Sequence, residues 1–179
     1  NFIDVEKCEE ADYLKKDYYC YIGRISHEKG IKTLIAAANR LPHKLVIIGK
    51  GPLDAEMKKL AGPNVEFAGF KQWNEIKRIV GQARFCVIPS ECYENNPLSV
   101  IESQCLGTPV LGAQIGGIPE LIQEGCNGLH FRSRDTDDMT AKIQAMYDAP
   151  FDYPSIALEA KKRYNSETYY KQLIQLYNL

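Results

Sequence analysis

Residues 84–102 read RFCVIPSECYENNPLSVIE: an apolar run, a polar loop, then an amphipathic segment. The run from Phe85 to Ile88 is continuous rather than alternating, which marks a strand buried on both faces of a parallel sheet. Pro97 is predicted as the first helical residue and Asn95 or Asn96 as its cap, because proline suits the first helical position and asparagine the cap. Glu94 then precedes the helix and Glu102 lies inside it, roughly 7 Å along the axis from its start. The two acids flank the positive end of a helix dipole, where phosphate binds well.

The same unit recurs on both sides of this stretch. Apolar runs YYCYIG (18–23), KLVIIG (44–49), VEFAGF (65–70), PVLGA (109–113) and GLHF (128–131) alternate with amphipathic segments such as KGIKTLIAAANRL, LDAEMKKLA, WNEIKRIVGQA and IPELIQEG. The pattern predicts an α/β fold, a doubly wound Rossmann-like parallel sheet of about six strands with flanking helices. Three more helices are expected near residues 135–147, 155–164 and 166–178, the last with Tyr169, Tyr170 and Tyr177 at helical spacing. Ligands of such folds sit outside the carboxyl ends of the strands. Arg24, Gly49 to Gly51, Ser90 to Glu94 and Gly116 to Gly117 all fall just past predicted strand ends.

Composition narrows the function classes. The chain has 179 residues, 45% of them hydrophobic, enough for one domain with a substantial core. A net charge of −1 offers no basic face, so nucleic acid is not an expected partner. The six cysteines (Cys8, Cys20, Cys86, Cys92, Cys105, Cys126) form no CxxC pair and several lie in apolar runs, as reduced thiols of a cytoplasmic protein would. His27, His43 and His130 make no ligand motif, so no protein-bound metal or cofactor is expected. No apolar stretch approaches a membrane span. The chain opens NFIDVEKCEEADYLKKD without a methionine, and residues 1–17 are expected to be a linker from a preceding N-terminal domain.

Gly23 and Arg24 end the first strand, and Lys29 with Gly30 opens the first helix, which aims two cations at one cleft. Arginine forks onto phosphate oxygens and lysine supplies a point charge, a combination suited to a diphosphate. Gly49 and Gly51 in GKGP let the backbone approach a ligand, but the spacing is neither GxGxxG nor GxxxxGK[ST], which removes support for dinucleotide and ATPase readings. Glu102 can accept from the two hydroxyls of a ribose diol while the amides near Pro97, Leu98 and Ser99 face phosphate. Glu94 then reaches the hydroxyls of whatever the diphosphate carries, most naturally a sugar.

In this order, GRISHEKG, IGKGP, VEFAGF, the ENNPLSVIE acids, GTPVLGA and GGIPELIQEGCNGLHF resemble the C-terminal domain of retaining glycosyltransferases of the GT-B architecture, glycosyltransferase family four, over about residues 18–179. The resemblance implies transfer of a sugar from a nucleotide diphosphate sugar to an acceptor, a glycan or lipid-linked saccharide, with retained configuration. It implies Arg24 and Lys29 on the diphosphate, Glu102 on the ribose, Glu94 with Asn95 and Asn96 on the sugar, and the base held near Gly69 and Phe70. Residues 18–150 would bind the donor. Residues 151–179 would be C-terminal helices, the last packing toward an N-terminal domain that binds the acceptor, and the full-length enzyme could sit at the inner membrane face. Many relatives carry glycines where this chain has Asn95 and Asn96, which bears on the donor sugar. A nucleotide-diphosphate-binding regulatory module without transferase activity is the alternative.

Overall fold

The computed structural model describes residues 2–8 and 13–177. Strands β1 (Tyr18–Ile22), β2 (Lys44–Ile48), β3 (Val65–Gly69), β4 (Cys86–Ile88), β5 (Val110–Ala113) and β6 (Gly128–Phe131) form one sheet in the order β3-β2-β1-β4-β5-β6. Every pairing is parallel. This is the doubly wound arrangement that the apolar runs predict. The helices between and after the strands are α1 (Ile31–Ala38), α2 (Asp54–Leu60), α3 (Trp73–Gln82), α4 (Leu98–Cys105), α5 (Ile118–Leu121), α6 (Thr136–Asp148), α7 (Tyr153–Tyr164) and α8 (Ser166–Tyr177). The last three match the expected segments to within two residues, and position 178 lies outside the described residues.

Because side chains alternate along a strand, each strand feeds two cores. Tyr19 and Tyr21 face α1, α2 and α6 with Leu45, Ile47, Phe85 and Val87. Cys20 faces α3, α4, α5 and α7 with Val46, Cys86, Ile88 and Val110. All six cysteines are free, and Cys8, Cys20, Cys86 and Cys105 are buried, acting as small hydrophobes.

The first core is centred on aromatic rings. Tyr19 stacks on Phe85 with ring centroids 5.0 Å apart, and Tyr147 from α6 meets both edge-on, at 6.2 and 5.4 Å. These geometries complement the ring quadrupoles. Burial raises the pKa of Tyr19 and Tyr147 well above the ordinary phenol range.

Of the segment 1–17, residues 1 and 9–12 lie outside the described residues. The remainder lies along the second layer: Ile3 N–H donates to Tyr164 O at 3.1 Å, Trp73 Nε1 to Lys7 O at 3.3 Å, and Lys15 Nζ to Gly81 O at 2.7 Å. At the other end Tyr169 of α8 packs on Phe2, while Tyr170 and Tyr177 are exposed.

Phe85 is fully buried between β1 and α6. Phe85→Ala is expected to destabilise the chain by about 3–5 kcal/mol, the cost of emptying a large aromatic site. Urea unfolding measures it, and a loss below about 1 kcal/mol would show that the cluster does not anchor this core.

Candidate functional site

The strand order turns back between β1 and β4, and loops from both converge at their carboxyl ends. After β1 the chain runs extended through Gly23 and Arg24, makes one tight turn at His27–Lys29, and enters α1 through Gly30, whose φ of 67° is left-handed. Lys29 therefore closes a short turn, and α1 begins two residues later than KGIKT suggested. Tyr21 supports this loop from below, its phenol donating to Arg24 O at 2.8 Å. The β2 loop lies directly against it: a Cβ on Gly49 would fall 1.9 Å from Gly23 O. No side chain larger than hydrogen fits there.

The β4 loop is held from three directions by Glu91. Its carboxylate accepts from Thr33 Oγ1 at 2.6 Å and lies 3.6 Å from Arg134 Nε, and its amide donates to Glu28 O at 2.9 Å. Arg134 also donates to Glu91 O at 3.2 Å, from a backbone with φ 65° that non-glycine residues rarely adopt. On the far side, Gly117 N–H donates to Glu94 O at 2.7 Å, and a Cβ there would fall 2.0 Å from Asn95 O. The paired glycines let the β5 loop lie flush on the Glu94 backbone.

Within this frame Glu94 accepts from Lys29 Nζ in an ion pair and from Ser90 Oγ at 2.9 Å. Both partners of the pair are mostly shielded, 30% and 18% exposed, so water screens it less than a surface pair. Arg24 is exposed, and its guanidinium has no ion pair or hydrogen-bond partner among the described residues. One cation is therefore neutralised and the other is open.

Helix α4 departs from the expected start. Pro97 is its cap residue, with extended ψ of 118°, and neither Asn95 nor Asn96 caps it. No side chain caps it: the Val100 amide donates to Pro97 O at 3.1 Å, and the Leu98 and Ser99 amides are left at the positive end of the helix. Asn96 Oδ1 is buried without a partner among the described residues. Glu102 sits one turn into α4. Burial raises its carboxyl pKa, and it has no hydrogen-bond partner among the described residues.

Gly23, Arg24, Lys29, Ser90, Glu94, Pro97, Leu98, Ser99 and Glu102 line a hollow of 310 Å³. It adjoins a second hollow of 280 Å³ between the β1 and β2 loops, lined by Gly23, Arg24, Gly49, Lys50, Phe70, Lys71 and Ile76. Gly51 packs against Ile25 O behind this surface, and Gly69 O accepts from Gly49 N–H at 2.9 Å, so both shape the hollow without lining it. Asn95 is exposed, and neither it nor Asn96 lines the hollow. A larger groove of 420 Å³ runs between α7 and residues 123–127, near the amino ends of the strands. We place the site in this pair of hollows, because the loops after β1, β2, β3 and β4 bring cations, acids and the Leu98 and Ser99 amides together there, at the carboxyl ends of the strands. Sequence reasoning missed Glu91, Thr33, Lys50, Lys71 and Arg134. Glu91 lies in the SECYE stretch, where a second acid three residues before Glu94 was the available signal. Among the described residues no group of three or more His, Cys, Asp and Glu is placed to hold a metal, and no helix is long and apolar enough to cross a membrane.

The family model for group 1 glycosyl transferases matches residues 3–171. Sulfoquinovosyl transferase SQD2 of Arabidopsis thaliana is 33% identical over 137 residues, 74% of this chain and 27% of its own length. The amylovoran biosynthesis glycosyltransferase AmsK of Erwinia amylovora is 26% identical over 174 residues, 87% of this chain and 43% of its own. The chain thus spans less than half the length of these curated relatives. Sucrose-phosphate synthase of Thermosynechococcus elongatus superposes with a TM-score of 0.78 at 26% identity, covering 92% of this chain and 45% of that one. HepE of Anabaena, solved with UDP, superposes with a TM-score of 0.85 at 19% identity, covering 100% of this chain and 56% of that one, a likeness of fold.

The raised pKa of Glu102 predicts a pH dependence. Folding holds its proton more tightly than the unfolded chain does, so this group costs stability as pH rises through its range, and the cost is complete once the folded carboxyl is ionised. Glu102→Gln removes it. The variant is expected to unfold at a higher temperature than the parent at pH 7, with the difference vanishing below about pH 4. A thermal-unfolding series across pH checks this; a variant no more stable at pH 7 would show that the carboxylate is not penalised.

Proposed function

Because the chain belongs to the group 1 glycosyl transferases, we propose that it is the donor-binding part of an enzyme that moves a sugar from a nucleotide diphosphate sugar to an acceptor saccharide or glycolipid, with retained configuration. The observation that carries this reading is the convergence of Arg24, Lys29, the Leu98 and Ser99 amides of α4 and the half-buried Glu102 on one hollow. Arg24, Lys29 and the amides neutralise the diphosphate with no protein-bound metal, Glu102 accepts from the ribose hydroxyls, and the sugar lies at Glu94. The base enters the second hollow, between the Gly49 and Phe70 loops. HepE has been solved with UDP and with UDP-glucose, which supports a nucleotide sugar as the ligand class.

In the reaction, the acceptor oxygen bonds to the anomeric carbon from the side on which the carbon–oxygen bond to the diphosphate breaks. The acceptor proton passes to the departing phosphate oxygen. Glu94, held by Ser90 Oγ, accepts from the sugar hydroxyls and is not required to attack the anomeric carbon. The main catalytic contribution is preorganised charge at the leaving group. Acceptor binding is assigned to the part of the relatives that lies outside this match, facing Tyr170 and Tyr177 of α8.

Thermal unfolding with UDP, GDP and ADP tests the donor site. One diphosphate at a hundred times its dissociation constant should stabilise the chain by about 2.7 kcal/mol, and both Arg24→Ala and Glu102→Ala should abolish the shift. Stabilisation that survives in both variants would place the ligand elsewhere. In the complete enzyme, Arg24→Ala should lower turnover about a hundredfold, the scale of one lost transition-state contact; unchanged turnover would defeat the assignment.

A further inference from the structure

The site's two cations differ: Arg24 makes no ion pair or hydrogen bond through its guanidinium among the described residues, while Lys29 is paired with Glu94. A diphosphate that takes Lys29 must displace the Glu94 carboxylate, which keeps only its bond from Ser90 Oγ. A shielded carboxylate stripped of its cation needs new donors. Hydroxyls of a sugar on the far phosphate supply them. A bare nucleoside diphosphate does not: it offers no donor there.

We propose that Glu94 selects glycosylated nucleotides over free nucleoside diphosphates by competing for Lys29. This rests on the donor-site reading above and assigns Glu94 a role in specificity and release. A sugar-bearing nucleotide exchanges the Lys29–Glu94 pair for a Lys29–phosphate pair and a Glu94–hydroxyl contact. Once the sugar has left, Glu94 loses its donors, returns to Lys29 and weakens the hold on the product. The exchange needs only side-chain rotation, because the Glu94 backbone is pinned by Gly117 N–H.

The test measures dissociation constants of UDP, GDP and ADP by calorimetry for the parent chain, Glu94→Gln, Lys29→Met and the double variant. For whichever diphosphate the parent binds, Glu94→Gln should tighten binding about tenfold, the scale of one charge-assisted contact no longer competed away. In the Lys29→Met background the same change should alter affinity by no more than about twofold. The glucose ester of the same nucleotide should gain less than the free diphosphate from Glu94→Gln. Equal or weaker diphosphate binding by Glu94→Gln, or equal tightening in both backgrounds, overturns the proposal. Arg24-dependent binding that Glu94→Gln leaves unchanged defeats the selection mechanism alone, whereas no binding of any diphosphate by the parent defeats the donor-site reading and this inference together.

Discussion

The parallel pairing of β1 with β4 is the constraint on which the rest depends. It is a short contact, registered at Cys20 opposite Cys86, yet it is where the sheet changes its direction of winding. To one side the chain steps through β2 and β3, to the other through β5 and β6. The loops leaving β1 and β4 must therefore diverge, and the space between them is the crevice. The pairing is secured on both faces. Two small thiols fill the α4 side, and the Tyr19–Phe85 stack fills the α1 side with a large buried area. Cations carried on the β1 loop and acids on the β4 loop thus face each other across a gap whose width is set by hydrophobic packing rather than by their own attraction.

That division explains why polar groups remain unsatisfied where the fold could have paired them. Helix α4 starts without a side-chain cap, Asn96 Oδ1 is buried without a partner among the described residues and Glu102 is desolvated. Each is a cost a purely structural sequence would remove, and all lie on or next to one loop. The clasp by Glu91 supplies the opposite: a carboxylate with its donors in place, holding the β4 loop to α1 and to the turn after β6. Local strain at Arg134 is maintained by these same contacts.

The architecture was legible because each strand is a continuous apolar run, and burial on both sides of a parallel sheet leaves that signature in VVI-like stretches such as KLVII and FCVI. The cations and acids of the site were legible through their position just past those runs. The start of α4 was misplaced by one residue because Pro97 is compatible with either cap or first turn, and the preference for asparagine caps assumes that the helix end is to be satisfied. The Glu91 clasp was not legible, since Thr33, Arg134 and Glu91 lie on three separate segments and only the folded sheet brings them together. Lys71 belongs to no local pattern, and Lys50, inside GKGP, was read past for its flanking glycines; the two come together across the β2 and β3 loops.

The difference between Arg24 and Lys29 follows from side-chain chemistry. A guanidinium is weakly hydrated and stays charged, so Arg24 can remain open to solvent with little cost and still fork onto phosphate. A lysine ammonium is a compact, strongly hydrated charge, and at 30% exposure it loses water that only an anion replaces. Glu94 provides that anion. Since glycine contacts and a backbone hydrogen bond fix the main chain at Glu94, the carboxylate cannot follow Lys29 toward a ligand by loop motion. It can only rotate, which makes the acid's next partner the neighbouring group on the ligand. On the donor-site reading proposed above, a fixed loop with one rotating carboxylate would couple a hydroxyl-bearing group on the ligand to binding free energy.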